Sequence, residues 1–520
     1  MKKYNYIFLT LCGTAALSSC DKFLDELPDD RAELNSIEKV KSFLVSAYPT
    51  KLPDYILEYS SDNVMCNGNA YNTYTDQEKL YRWEDVEDVN YNDTPKQVWN
   101  GHYTAIATAN QALEALEELE AGAQGDALKA EALLCRAYGM FNLANTFCMA
   151  WNPDKAEEYP GLPYPKQAGV SVDERGTLAQ LYKNISDDIE QALPLLNDSY
   201  LAVPKYHFNA KAAYAFAARF NLYYLNDDKA IEYASKVLGE NPESVIRNVS
   251  AYTNLAGVTD INNSYMRDDA NLMMVAAYSL IGRAFQGAGS FMRYAHNQEI
   301  TSNETFWARM PWGSGSSNNV LYEARMLYGS ANLVYYPKML EQFEVTDKVL
   351  QTGYAHTVDP AFTADETLLV RAEAYTRKKE YAKALADMNT WVRSHCRASL
   401  GTATRPVLTE ESVNTFVDGL AEVPAVITAT RQRGTKKPLH PQGFKVEEGT
   451  MTNMLHIILH MRRLETYWQG LRFLDIKRYG IEFSHNLDGA DPIAFKAGDL
   501  RGAIQLPADV LAAGLSANPR

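Results

Sequence analysis

Two stretches of this chain, Asn209–Pro242 and Thr363–Cys396, each read as a pair of helices, and each is 34 residues long. That is the tetratricopeptide period, in which an antiparallel helix pair buries its apolar face only by stacking on a neighbour. Ala230 and Ala384 fall where close helix contact needs a short side chain. The match is imperfect, because the turn after Arg219 is two residues shorter than the turn after Arg371. Capping boxes mark further helix starts at Thr94-Pro95-Lys96-Gln97, Thr177-Leu178-Ala179-Gln180 and Thr363-Ala364-Asp365-Glu366. After Thr94, the residues Trp99, Tyr103, Ile106, Asn110, Leu113 and Leu116 share one face of a helix ending near Gly122. Asp126 is placed to cap the next helix, through Leu133, Ala137 and Phe141.

The expected fold is therefore mostly α, with helical pairs over 94–148, 177–242 and 363–396. A C-terminal helical motif follows over 448–480, as a long helix to Gln469 and a short one to Gly480. Periodicity weakens over 250–346 and 399–447. The first of these carries Gly287, Gly289, Gly313 and Gly315 beside Trp307 and Trp312. Long irregular insertions on a rigid helical frame usually carry binding groups. Residues 55–92 read as loops with short elements, and Trp83 and Trp99 as packing within the scaffold.

The N-terminus sets the compartment. Lys2 and Lys3 precede an apolar run from Tyr6 to Leu17, which ends in Leu17-Ser18-Ser19-Cys20. This predicts a signal peptide over 1–19, a lipidated Cys20, a leader over 20–53 and a body over 54–520. Asp21, Asp25, Glu26, Asp29 and Asp30 make the leader acidic, either as a solvated spacer or as an export cue. No apolar run after Cys20 reaches the ~18 residues of a spanning helix. The net charge of −15 argues against a nucleic-acid partner. Cys66, Cys135, Cys148 and Cys396 lack metal-like spacing and are expected as buried thiols.

Several stretches, in order along the whole chain, resemble the SusD/RagB family of outer-membrane nutrient-binding lipoproteins. They are Cys20–Asp25 with Pro28, Arg136–Phe147 with Gly161-Leu162-Pro163, Arg175–Ala192, Arg371–Tyr375 with Ala384 and Asn389, Arg462–Arg478, and the Pro507 and Asn518-Pro519 ending. Met461 and Gln469 stand where the family resemblance leads one to expect Glu, which puts an Arg-centred ion-pair network in doubt. The resemblance implies a SusD-like fold with a variable, loop-rich ligand-binding half. It implies a lipid anchor in the outer membrane facing the cell exterior, and a SusC-like TonB-dependent transporter as partner. The implied cargo is an oligosaccharide, or a peptide in the RagB-like branch.

Sugar binding needs flat apolar faces for ring C–H groups and amides, Arg or carboxylates for hydroxyls. Two loops supply both. One holds Asn67, Asn69, Tyr71 and Tyr74; the other holds Trp307, Arg309, Trp312, Asn319 and Tyr322. They are expected to converge on one exposed platform, although Trp307 or Trp312 would serve equally well as a core plug. His456 and His460 share a helix face but lack the Glu of a zincin motif, so no metal is assigned. The Gly313–Ser317 run lacks the ending of a phosphate loop, no cofactor is implied, and no nucleophile–base arrangement emerges. The expected function is non-catalytic capture of glycans. Peptide capture, a surface glycoside hydrolase and a scaffold binding only proteins are the alternatives.

Overall fold

The structure is a computed structural model that describes residues 34–73, 75–86, 92–169, 174–255, 257–285, 292–322, 327–330, 333–426 and 433–520. The expected signal peptide, the expected lipidation site Cys20 and the candidate site residue Tyr74 lie outside the described residues. So does the acidic start of the leader.

The helical frame starts with α1 (Pro95–Glu118), α2 (Gly122–Phe147) and α3 (Leu178–Ala192). Thr94 caps α1 by accepting the Gln97 amide, with Pro95 at the first helical position, and Thr177 caps α3 in the same way. The start of α2 differs from expectation. It begins at Gly122, four residues before Asp126, without a side-chain cap. Gly122 has φ of 51°, a left-handed value that lets the chain reverse tightly between the two helices. Arg136 locks the three helices together. It donates to both oxygens of Asp188 at 2.6 and 2.7 Å and to Asn110 Oδ1 at 2.9 Å.

The two 34-residue units appear as α4 (Ala210–Tyr223) with α5 (Asp227–Leu238), and α6 (Ala364–Arg377) with α7 (Tyr381–His395). Asn209 and Asn226 cap the first pair, and Thr363 caps α6. The turns between paired helices are equal in length, Tyr223 to Asp227 and Arg377 to Tyr381. The apparent mismatch arises because Arg219 and Arg371 are not equivalent positions: Arg219 pairs with Glu366, whereas Arg371 pairs with Asp387. Ala230 and Ala384 are equivalent, and both are fully buried at the helix contact. Helix α5 packs directly on α6, so the long insertion leaves the frame and returns to the place it left.

That insertion contains a sheet the helical periodicity did not foresee. Strands β1 (Asn271–Ala277), β2 (Glu341–Asp347) and β3 (Thr352–Thr363) pair antiparallel in the order β1-β3-β2. Strand β3 runs straight into the Thr363 cap of α6. Its Phe362 packs among Tyr138, Phe208 and Phe216 of the frame. Residues Ile37–Leu44, expected within the leader, form a helix with Val40 and Leu44 buried. Trp83 and Trp99 are buried as expected, and Cys66, Cys135, Cys148 and Cys396 are buried free thiols.

The C-terminal motif consists of α8 (Thr450–Glu465) and α9 (Leu471–Tyr479). Helix α8 stops at Glu465, short of the expected Gln469, and Gly470 makes the turn at φ of 71°. A Cβ on Gly470 would meet Leu57 Cβ at 2.8 Å, so glycine is required twice over there. The ion-pair network survives without acids at 461 and 469. Arg462 pairs with Asp475 and Glu366, and Arg478 with Glu373 and Asp475. Met461 is simply core, and Gln469 donates to Asp359 Oδ1 at 3.0 Å and accepts from Lys338. Among the described residues, no helix is long and apolar enough to cross a membrane.

Candidate ligand cleft

The segment Phe306–Leu321 folds back on itself. Gly313-Ser314 pairs antiparallel with Asn318-Asn319, and the Gly315 amide donates to Trp307 O at 2.8 Å. Gly313 sits at φ of 119°, where a Cβ would lie 2.0 Å from Asn318 O; only glycine closes this turn. Trp312 points inward from the fold-back. It is fully enclosed against Trp391 and His460, at ring distances of 5.6 and 5.8 Å. Burial and the nearby Arg463 and Arg472 push His460 down to about 3, so it packs there as a neutral ring.

This placement divides the expected platform. Trp312 is a core plug and offers no face to a ligand. Asn319 is also buried: its Nδ2 donates to Phe306 O at 2.8 Å and its Oδ1 accepts the Leu321 amide at 2.9 Å. Both residues brace the fold-back from beneath. Tyr322 lies elsewhere, under the Arg397 guanidinium at 5.1 Å, and borders a cavity of about 40 Å³ with Arg247, Lys338 and Glu465. A space that small holds water and no sugar. Trp307 and Arg309 do come together, but only Arg309 is exposed as expected: Trp307 is packed into the core with 8% of its surface left open. They line a cleft of about 610 Å³, the size of a small-molecule site.

The cleft's other walls come from segments that periodicity had only marked as irregular. Asn303 ends the short helix Gln298–Asn303 that leads into the fold-back, and Ser314 stands on its rim. Glu422 and Arg433 enter from the segment after helix Glu410–Asp418. Arg433 is held by Glu299 at 2.9 Å and Glu304 at 2.8 Å. Glu304 is in turn shared by Lys437 and Arg463. Burial alone would raise its pKa, but these three cations outweigh burial and hold it below the usual carboxylate range. Arg309 differs from Arg433. It is exposed on the cleft, 5.9 Å from the Phe416 ring, and makes no hydrogen bond or ion pair among the described residues.

The early loop does not reach the cleft walls. Asn67 donates to Met292 O at 3.0 Å and accepts from Asn297, while the exposed Asn69 is tied through its amide to Asp488 at 2.7 Å. The partly buried Tyr71 follows in the same turn, its amide bonded to Gly68 O. This loop therefore pins the strand Tyr294–Ala295 from which the cleft's helix departs. Sequence reasoning missed Asn303, Glu422 and Arg433, because their proximity is set by pairings more than a hundred residues apart.

A second cavity, of about 440 Å³, lies beside α1 between Trp99, Tyr103, Pro163, Pro165 and Leu515. Its Tyr103 hydroxyl and Asn110 amide are already committed to Pro163 O and Pro165 O. It offers apolar surface and fewer free donors than the Trp307–Arg309 cleft. Among the described residues, Asp365, His395 and Glu465 form the one His/carboxylate trio with metal-like spacing, within 4.8 Å. Arg247 Nε stands 3.8 Å from Asp365, and the charges of Lys338 and Arg247 lie close enough to the Glu465 carboxylate to favour its ionised form, so cations already balance those acids.

Residues 22–222 match a SusD-like family model described as starch-binding and associating with the outer membrane. No curated protein matches the chain in sequence. Solved structures share its fold along nearly the whole length. A SusD superfamily protein of Bacteroides thetaiotaomicron VPI-5482 has 18% identity and a TM-score of 0.58, covering 92% of this chain and 98% of the other. A SusD superfamily protein of Bacteroides fragilis has 18% identity and a TM-score of 0.59, with 91% and 96% covered. A SusD-like carbohydrate binding protein of Bacteroides vulgatus ATCC 8482 has 14% identity and a TM-score of 0.53, with 88% and 89% covered.

Proposed function

We propose that this chain, which matches a SusD-like family model over residues 22–222 and shares its fold with SusD superfamily structures, is a SusD/RagB-type cell-surface glycan-binding lipoprotein which delivers oligosaccharides to a SusC-like TonB-dependent outer-membrane transporter. The observation that carries this reading is the cleft bordered by Trp307 and by an exposed Arg309 that makes no hydrogen bond or ion pair among the described residues. The small open part of the Trp307 indole offers apolar surface for ring C–H groups, and a guanidinium offers up to five donors for oxygens. The cleft-lining pair is proposed as the core of the ligand site, with Asn303, Ser314 and Glu422 beside it. Asn67, Asn69 and Tyr71 are proposed as supports for that site.

In this reading Cys20 carries the lipid that holds the body at the outer membrane, facing outward, and the protein performs no chemistry on its cargo. The test is a binding screen of the purified protein against soluble polysaccharides and peptides, paired with analysis for new reducing ends. Saturable glycan binding without new reducing ends is expected. Binding of peptides alone would move the protein to the peptide-capturing branch, and release of reducing ends would make it a hydrolase. Added protease should reach it on intact cells, and a TonB-dependent barrel should co-purify with it.

A further inference from the structure

Resting on the glycan-capture reading, we propose that the cleft is built for an acidic saccharide, one whose sugar carboxylate takes the fork of Arg309 beside the partly open edge of the cleft at Trp307. Arg309 is exposed on the cleft and spends none of its donors on a described protein group. A guanidinium presents two parallel N–H groups that match a carboxylate, whereas a neutral hydroxyl uses one at a time. The second observation lies behind the wall. The ion-paired cluster that holds Arg433 contains four bases, Arg433, Lys437, Arg463 and Arg472, against three acids, Asp62, Glu299 and Glu304. Its surplus positive charge is largely buried, where screening is weak.

Glu422 also lines the cleft, and it opposes an anion. With Arg309 and Glu422 offsetting one another, the buried surplus decides the sign, and it favours a negative ligand. The net charge of −15 is spread over the whole chain. At physiological ionic strength its distant part is screened within about 8 Å, so the groups around the cleft dominate.

The experiment is calorimetric titration of the purified protein with oligogalacturonate, oligoglucuronate and oligomannuronate. Each is compared with the same oligosaccharide after its carboxylates are reduced to primary alcohols, and a neutral glucan and xylan panel is run alongside. The expected result is at least tenfold tighter binding of one acidic oligosaccharide than of its reduced form. Arg309→Gln should abolish that preference, Arg309→Lys should keep part of it, and Glu422→Gln should strengthen acidic binding. Both positions are exposed, so unchanged melting temperatures are expected to accompany these changes. Equal binding of acidic and reduced forms, or binding of neutral glycans alone, would overturn the acidic assignment and leave glycan capture standing. No binding to any glycan would overturn both.

Discussion

The indole of Trp312 lies 5.6 Å from that of Trp391 and has no exposed surface, whereas Trp307, five residues earlier and 8% exposed, borders the cleft. The two tryptophans should therefore separate in binding, though both support the core. Trp312→Ala opens a large cavity and is expected to cost about 3–5 kcal/mol in chemical denaturation. Trp312→Phe should cost far less, because the indole Nε1 has no hydrogen-bond partner to lose. Trp307 is itself a core residue, so Trp307→Ala is also expected to cost about 3–5 kcal/mol, but it alone of the two should weaken ligand binding as well, about tenfold or roughly 1.4 kcal/mol, when measured on the folded variant.

Arg136 and Asp188 share two short hydrogen bonds in the middle of the α1–α2–α3 bundle, both nearly fully buried. Arg136→Leu strands the Asp188 carboxylate and is expected to lose about 3–5 kcal/mol. The double variant Arg136→Leu with Asp188→Leu should recover most of that loss, since an apolar pair can replace a buried ion pair. A double-mutant cycle by urea denaturation measures the coupling.

Glu58 sits fully buried beneath Gly470, accepting from Asn63 Nδ2 at 2.9 Å and from the Gly470 amide at 3.2 Å. Burial pushes its carboxyl up to about 7. A folded pKa above the unfolded value adds stability that is complete below about 4.3 and is lost as pH rises through 7. Glu58→Gln cannot titrate. The stability difference between the two proteins should therefore shift toward the variant by about 3 kcal/mol between pH 4 and pH 8. A pH-independent difference in denaturant midpoints would contradict this.

Gly313→Ala places a Cβ against Asn318 O at the turn of the fold-back. The expected cost is about 1–3 kcal/mol from strain at a positive φ. Because the same turn sets the rim at Ser314, ligand affinity should fall as well. Gly489→Ala is the control: it also has positive φ, at 74°, but its added Cβ meets nothing within 4 Å, so its effect should be confined to stability.

The helical frame was legible because its signals are local. Thr94, Thr177, Thr363 and Asn209 each cap a helix through an amide three residues on, and a reader of the sequence sees both partners at once. Asp126 misled because a glycine in a left-handed conformation started α2 one turn earlier. The sheet escaped notice because β3 carries Pro360 and alternates poorly, its inner half being buried on both sides. The fold-back reads in sequence as a binding loop, yet nothing within it says how deeply each tryptophan is buried. That depends on Trp391 and His460, which arrive much later in the chain. Arg433 and Glu304 are joined in the same remote way.

Helix α5 lies directly on α6, although more than a hundred residues separate them in the chain. Closing a loop of that length costs on the order of 4 kcal/mol of chain entropy beyond the constant term. The first five helices of the frame thus emerge with an apolar side uncovered, and they stay so until the whole insertion has followed. Folding of the frame is obliged to wait for a segment that lies outside it. A newly made chain would be most prone to aggregation in that interval, and a cut anywhere inside the insertion would leave the early helices without their cover.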